Sequence, residues 1–83
     1  MREAYMRKKE LRLVVTFHTT TEAMAMEEAC RAADAPGRVI PVPGEISAGC
    51  GLAWCVDPDG WDAVDAVMKA RNLKSEGVFT CMV

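Results

Sequence analysis

Between Leu11 and Val83 the spacing of apolar residues switches twice from a period of two to a period near 3.6 and back, so strands and helices must follow one another in a set order. Leu11, Leu13, Val15 and Phe17 form one face of a first strand, with Arg12, Val14 and Thr16 on the other. Thr19-Thr20-Thr21-Glu22 has the spacing of a capping box and predicts a helix start. Ala23, Met26, Cys30 and Ala33 recur along that helix with Ala25 and Ala29 beside them, Glu27, Glu28 and Arg31 face outward, and Asp34-Ala35-Pro36-Gly37 ends it. Arg38 to Val42 predicts a short second strand at a sheet edge, because Pro41 and Pro43 cannot donate ladder hydrogen bonds. Gly51 to Val56 predicts a third strand. Asp57-Pro58 then supplies an N-cap and a first-turn proline for a second helix reaching Asn72, a left-handed cap. Trp61, Val64, Val67 and Met68 make its apolar stripe, and Asp59, Asp62 and Asp65 lie near its N-terminus, where the dipole favours them. Gly77 to Val83 closes the chain as a fourth strand.

The order β-α-β-β-α-β predicts an α+β fold, the ferredoxin-like plait, with a four-stranded antiparallel sheet and both helices on one face. In that topology the first strand-to-helix turn, the loop between the second and third strands, and the turn into the fourth strand share one end of the sheet. His18 and the Thr19 to Thr21 turn are therefore expected beside residues 44–51. The face without helices leaves Val14 and part of the third and fourth strands uncovered, and an uncovered apolar sheet face favours a homodimer.

Eighty-three residues suffice for one domain and not for two cores. The expected organisation is a basic N-terminal extension over 1–10 and a single domain over 11–83. With 51% hydrophobic and 27% charged residues, intrinsic disorder is excluded. Residues 1–12 hold five Lys/Arg against two Glu, whereas residues 13–83 hold five Lys/Arg against ten Asp/Glu. An acidic body argues against nucleic acid as a partner. The basic leader reads as a flexible extension, as a long reading of the start with Met6 available, or as a phosphate-seeking arm. No apolar run approaches the roughly 20 residues of a membrane helix, and the few apolar residues after Arg7, Lys8, Lys9 and Arg12 do not make a signal peptide. A cytoplasmic chain with no membrane partner is expected. The four cysteines, Cys30, Cys50, Cys55 and Cys81, include no Cys-x-x-Cys pair, and His18 has no partner histidine. Reduced thiols, no metal and no cofactor follow.

Ile46-Ser47-Ala48-Gly49-Cys50-Gly51-Leu52-Ala53-Trp54 is the most unusual stretch. Gly49 and Gly51 tolerate positive φ and leave backbone amides uncovered, so with Ser47 they make a candidate anion nest around Cys50. The same end of the fold carries the N-terminus of the first helix, and helix N-termini favour thiolates. Cys50 is thus the candidate reactive thiol. Cys30 falls on the helix stripe and Cys55 and Cys81 on strands toward the opposite end, where they read as small core hydrophobes. The plain alternative is that Gly49-Cys50-Gly51 is a tight turn entering a central strand, with Cys50 as filler. His18 and Thr19 are candidate accessory residues or ordinary capping residues. Arg38 either holds an anion beside the loop or solvates an edge. Trp54 and Trp61 read as packing.

Three runs carry a family resemblance: Thr16-Phe17-His18-Thr19-Thr20, Pro36-Gly37-Arg38-Val39-Ile40-Pro41-Val42-Pro43, and Ile46-Ser47-Ala48-Gly49-Cys50-Gly51-Leu52-Ala53. Over about residues 12–82 the chain resembles a small bacterial domain family described as selenium/sulfur (Se/S) carrier-like. The Pro-x-Pro and Ser-Ala-Gly-Cys-Gly blocks are its specific part. The resemblance implies a cysteine that holds sulfur or selenium as a persulfide or its selenium analogue, and the matching position is Cys50. Nothing is carried onto His18.

Two functions follow. In the first, a donor of the cysteine desulfurase type places sulfur or selenium on Cys50 and an acceptor protein removes it, so the chain handles a group without turning over alone. In the second, the glycine-rich loop is a non-catalytic module that binds a protein or a small anion, and Cys50 is structural.

Overall fold

The computed structural model describes residues 10–46 and 49–83; the basic leader up to Lys9, and Ser47, lie outside the described residues. The elements are β1 (Leu11–Thr16), α1 (Thr20–Ala32), β2 (Arg38–Pro41), β3 (Leu52–Val56), a 3-10 turn (Pro58–Gly60), α2 (Trp61–Arg71) and β4 (Gly77–Met82). The sheet order is β2-β3-β1-β4 with every pairing antiparallel. This is the ferredoxin-like plait, and the proline-containing β2 is one of its edges.

Alternation along β1 divides the interior in two. Leu13, Val15 and Phe17 face the helices, where they meet Trp54 and Val56 of β3, Ala23, Met26 and Cys30 of α1, and Val64 and Met68 of α2. Phe17, Met26, Val15 and Val64 are essentially inaccessible, and burying each such side chain contributes about 2 to 3 kcal/mol. Ala33, expected on this stripe, is instead the exposed C-cap of α1.

The other sheet face is less open than its lack of helices implies. Val14, Ala53 and Cys81 are buried there under Ile46, with Ile40, Val42 and Val83 packed around them. Ile46, in the loop after β2, packs onto the face on which a dimer was expected, while Phe79, opposite Val14, stays exposed there. Among the described residues the exposed large apolar residues in the sheet are Leu11 of β1 and Val78, Phe79 and Met82 of β4, the edge opposite β2.

Both helices end in left-handed residues. Asp34 has φ 58°, its amide donates to Arg31 O and the next amide, of Ala35, donates to Cys30 O at 2.8 Å. Asn72 has φ 55°, and Leu73 N reaches Met68 O at 2.8 Å in the same way. Each is a Schellman closure that satisfies the last carbonyls of its helix. At the start of α2 the structure departs from the expected N-cap. Asp57 makes no side-chain cap and the segment from Pro58 opens as a 3-10 turn. Its carboxylate instead meets the Arg12 guanidinium at 3.1 Å, across the sheet end.

Candidate functional site

Three connections converge at the C-terminal end of β1. Cys50 N donates to Phe17 O at 2.9 Å, and Glu76 N donates to Thr16 O at 2.7 Å. The loop before β3 and the turn before β4 are thus both fastened to the last residues of β1. Thr16 is the buried polar residue at this junction, wholly inaccessible, and its hydroxyl donates to Gly77 O at 3.3 Å.

The next turn of chain starts α1. Thr19 Oγ1 accepts from Glu22 N at 3.1 Å, as a capping box requires, while the Glu22 carboxylate reaches back to the amide of His18 at 2.9 Å, one residue beyond the cap. The His18 ring lies against the same carboxylate, Nδ1 to Oε1 3.5 Å, with its side chain exposed. The capping carboxylate therefore holds His18, and Thr19 has the capping role.

Gly49 and Gly51 both take positive φ, 83° and 101°, so the backbone turns on either side of Cys50 in a way side-chain-bearing residues resist. At Gly49 space is also short: a Cβ there would lie 3.2 Å from both Phe17 O and Thr16 Cβ, and 3.5 Å from Glu76 Oε1. Around Gly51 it would meet nothing within 4 Å. The loop is pressed onto β1 at Gly49 and open at Gly51.

Cys50 itself is half-buried. Its side chain packs against the helix-side core, and its thiol points weakly at Leu52 O, 3.8 Å away. The Cys50 amide, one of those expected to face an anion, is already bonded to Phe17 O. Ser47 lies outside the described residues.

The other cysteines are buried: Cys30 on the inner face of α1 against the main core, Cys55 and Cys81 on the opposite sheet face. Burial pushes the Cys30 thiol above its usual range. Burial does the same to Cys81, with smaller contributions from the negative charge of Glu45 and from Cys55. Both stay protonated where an ordinary thiol begins to ionise.

Arg38 is not brought to the site. It pairs with Cys55, whereas the Cys50 end of β2 is marked by Pro41 opposite Leu52, three residues or about 10 Å away along the strand. Its neighbours are Arg12, Gly37 and Asp57. Trp54 is buried, with Nε1 donating to Pro36 O at 3.2 Å, and Trp61 packs on the core, so both tryptophans serve packing. Glu76 was absent from the sequence reading. Only the hydrogen bond that seats its turn on Thr16 places it against Gly49, and no local pattern announces that contact.

Among the described residues no three His, Cys, Asp or Glu side chains gather where an ion could be held. Nor is any helix among them long and apolar enough to cross a membrane. Among the described residues three hollows lie away from Cys50: an open one of about 540 Å³ on the outer side of α1, one of about 330 Å³ between Arg12, Arg38 and Asp57, and a groove of about 270 Å³ between α2 and β4. Cys50 sits on a turn at the end of the sheet.

A plait with one loop thiol held between two left-handed glycines is the class of protein that the fold and site define. The sequence profile described as “Putative Se/S carrier protein-like” matches residues 12–80, and the chain belongs to that family. No curated protein and no solved structure matches the chain.

Proposed function

We propose that this chain carries sulfur or selenium on Cys50, taking it from a donor of the cysteine desulfurase type and passing it to an acceptor protein. The observation that carries the reading is the contrast among the thiols: Cys50 alone is on a loop, fixed to the end of β1 through its own amide, while Cys30, Cys55 and Cys81 are buried. Membership of the Se/S carrier-like family supports it.

The chemistry is an exchange at sulfur. The Cys50 thiolate attacks the terminal sulfur of a donor persulfide, R-S-SH; a new S–S bond forms on Cys50, the donor S–S bond breaks, and the donor leaves as the thiolate R-S⁻ with the bonding electron pair. The transferred sulfur keeps its proton and there is no net oxidation. Attack by an acceptor thiolate on the terminal sulfur repeats the step and restores the Cys50 thiolate. With selenium the carried group is Cys50-S-SeH. A thiolate has no proton to offer Leu52 O, so ionisation removes this inward contact of the sulfur.

Fixing the backbone of Cys50 to Phe17 O holds the nucleophile at one height above the sheet end whichever partner approaches. Four free thiols suit a reducing, cytoplasmic setting. Incubating the protein with a cysteine desulfurase and cysteine, and locating any added sulfur by mass spectrometry, tests the proposal.

A further inference from the structure

We infer that Glu76 is a charge filter for reactions at Cys50, disfavouring anionic sulfur compounds and favouring neutral reactants or a partner that presents Lys or Arg beside its own sulfur. In the carrier reading, on which its biological use rests, such a filter protects the loaded group from small anionic thiolates while a protein acceptor gains access.

The placement is fixed at both ends. Glu76 N is held by Thr16 O at 2.7 Å, and Cys50 N by Phe17 O at 2.9 Å, the next residue of the same strand end. Between them, Glu76 Oε1 stands 3.5 Å from the point a Cβ on Gly49 would occupy. Adjacent Cα atoms are about 3.8 Å apart, so this carboxylate lies within about 9 Å of the Cys50 Cα. Gly49 has no side chain to stand between them.

The other charges at this end are committed differently. Glu22 accepts a hydrogen bond from the amide of His18, with the His18 ring 3.5 Å away. Glu45 acts on Cys81, on the other sheet face. Lys74 is exposed and makes no ion pair with Glu76 among the described residues. Glu76 thus adds an uncompensated negative charge beside the Gly49–Cys50 turn. A unit charge felt across about 10 Å of water changes the local concentration of a singly charged reactant about twofold, and the effect disappears as salt shortens the Debye length.

The test alkylates the intact protein with iodoacetamide, which is neutral, and iodoacetate, which is an anion, following Cys50 by site-resolved mass spectrometry at low ionic strength. The ratio of the two rates removes any effect of loop position, because a misplaced sulfur reacts differently with both. Glu76→Gln is expected to raise the iodoacetate-to-iodoacetamide ratio about twofold, Glu76→Lys by about twofold again, and Glu76→Asp to leave it near the native value. All four proteins should converge at about 1 M salt, where the Debye length is about 3 Å. An unchanged ratio in both Glu76→Gln and Glu76→Lys, or equal changes in both rates, overturns the filter. Because no sulfur donor is involved, this result is separate from persulfide loading: loading can fail while the filter stands, and the reverse.

Discussion

The amide of Cys50 is bonded to the carbonyl oxygen of Phe17 at 2.9 Å, which ties the one loop cysteine to the last turn of chain before α1. The bond lets a loop residue behave like part of the sheet. It fixes the sulfur relative to β1 and removes one amide from the surroundings of any bound anion.

Thiol reactivity should separate cleanly. Limited iodoacetamide treatment at neutral pH, read by peptide mass spectrometry, is expected to modify Cys50 first, with Cys30, Cys55 and Cys81 modified only after local unfolding. Earlier modification of Cys55 or Cys81 would remove the ground for choosing Cys50.

Gly49 and Gly51 should differ although both have positive φ. Gly51→Ala carries backbone strain alone, about 1 to 2 kcal/mol, since open space surrounds the new methyl. Gly49→Ala adds crowding against Phe17 O and Thr16 Cβ and should cost more than Gly51→Ala. Urea unfolding of the two variants measures the difference, and equal losses would show that Gly49 is not pressed onto β1.

Thr16→Val keeps the shape of a buried side chain and deletes its hydrogen bond to Gly77 O. A loss of about 1 to 2 kcal/mol is expected, with Thr16→Ser retaining the bond and deleting only the methyl group. Denaturant midpoints decide it, and a Thr16→Val protein as stable as the parent would remove the hydroxyl from the account of this junction.

Stability should fall in mild alkali. Burial raises the Cys30 and Cys81 thiols in the folded state, so as pH passes the ordinary thiol value of about 8.5 the unfolded chain loses protons first and unfolding is favoured. The contribution is complete below that pH and is lost on going up toward the raised folded values. Melting temperatures in reductant between pH 7.5 and 10 should drop for the parent and drop less for Cys30→Ala measured against its own neutral value. A parallel decline would assign the loss to other groups.

Much of this was legible in the chain because it is local. Thr19 and Glu22 announce the start of α1, Asn72 the end of α2, and Pro41 the edge position of β2, each through a rule that acts within a few residues. The convergence of His18, Cys50 and the turn into β4 followed from topology once the order of elements was read. The contacts that were missed join residues far apart in sequence. Ile46 over Val14, Asp57 on Arg12 and Glu76 beside Gly49 each depend on how separate segments meet, and no periodicity encodes them. Asp34 was read as part of a stop signal, and its left-handed backbone became visible only through the hydrogen bonds that close α1. Cys50 is less exposed than a glycine-bracketed loop suggests, because the fold uses its side chain to finish the core beside Phe17.

The central claim is that Cys50 carries the group, and loading measures it directly. The reduced protein is incubated with a cysteine desulfurase and cysteine, and the mass of each cysteine peptide is followed before and after dithiothreitol. The account predicts one added sulfur, about 32 mass units, on Cys50 alone, removed by dithiothreitol and missing from a folded Cys50→Ser variant. A selenium donor in place of cysteine reads the preference between the two elements. Sulfur spread over all four cysteines, or none on a Cys50 that iodoacetamide shows to be reactive with several desulfurases supplied, would contradict it.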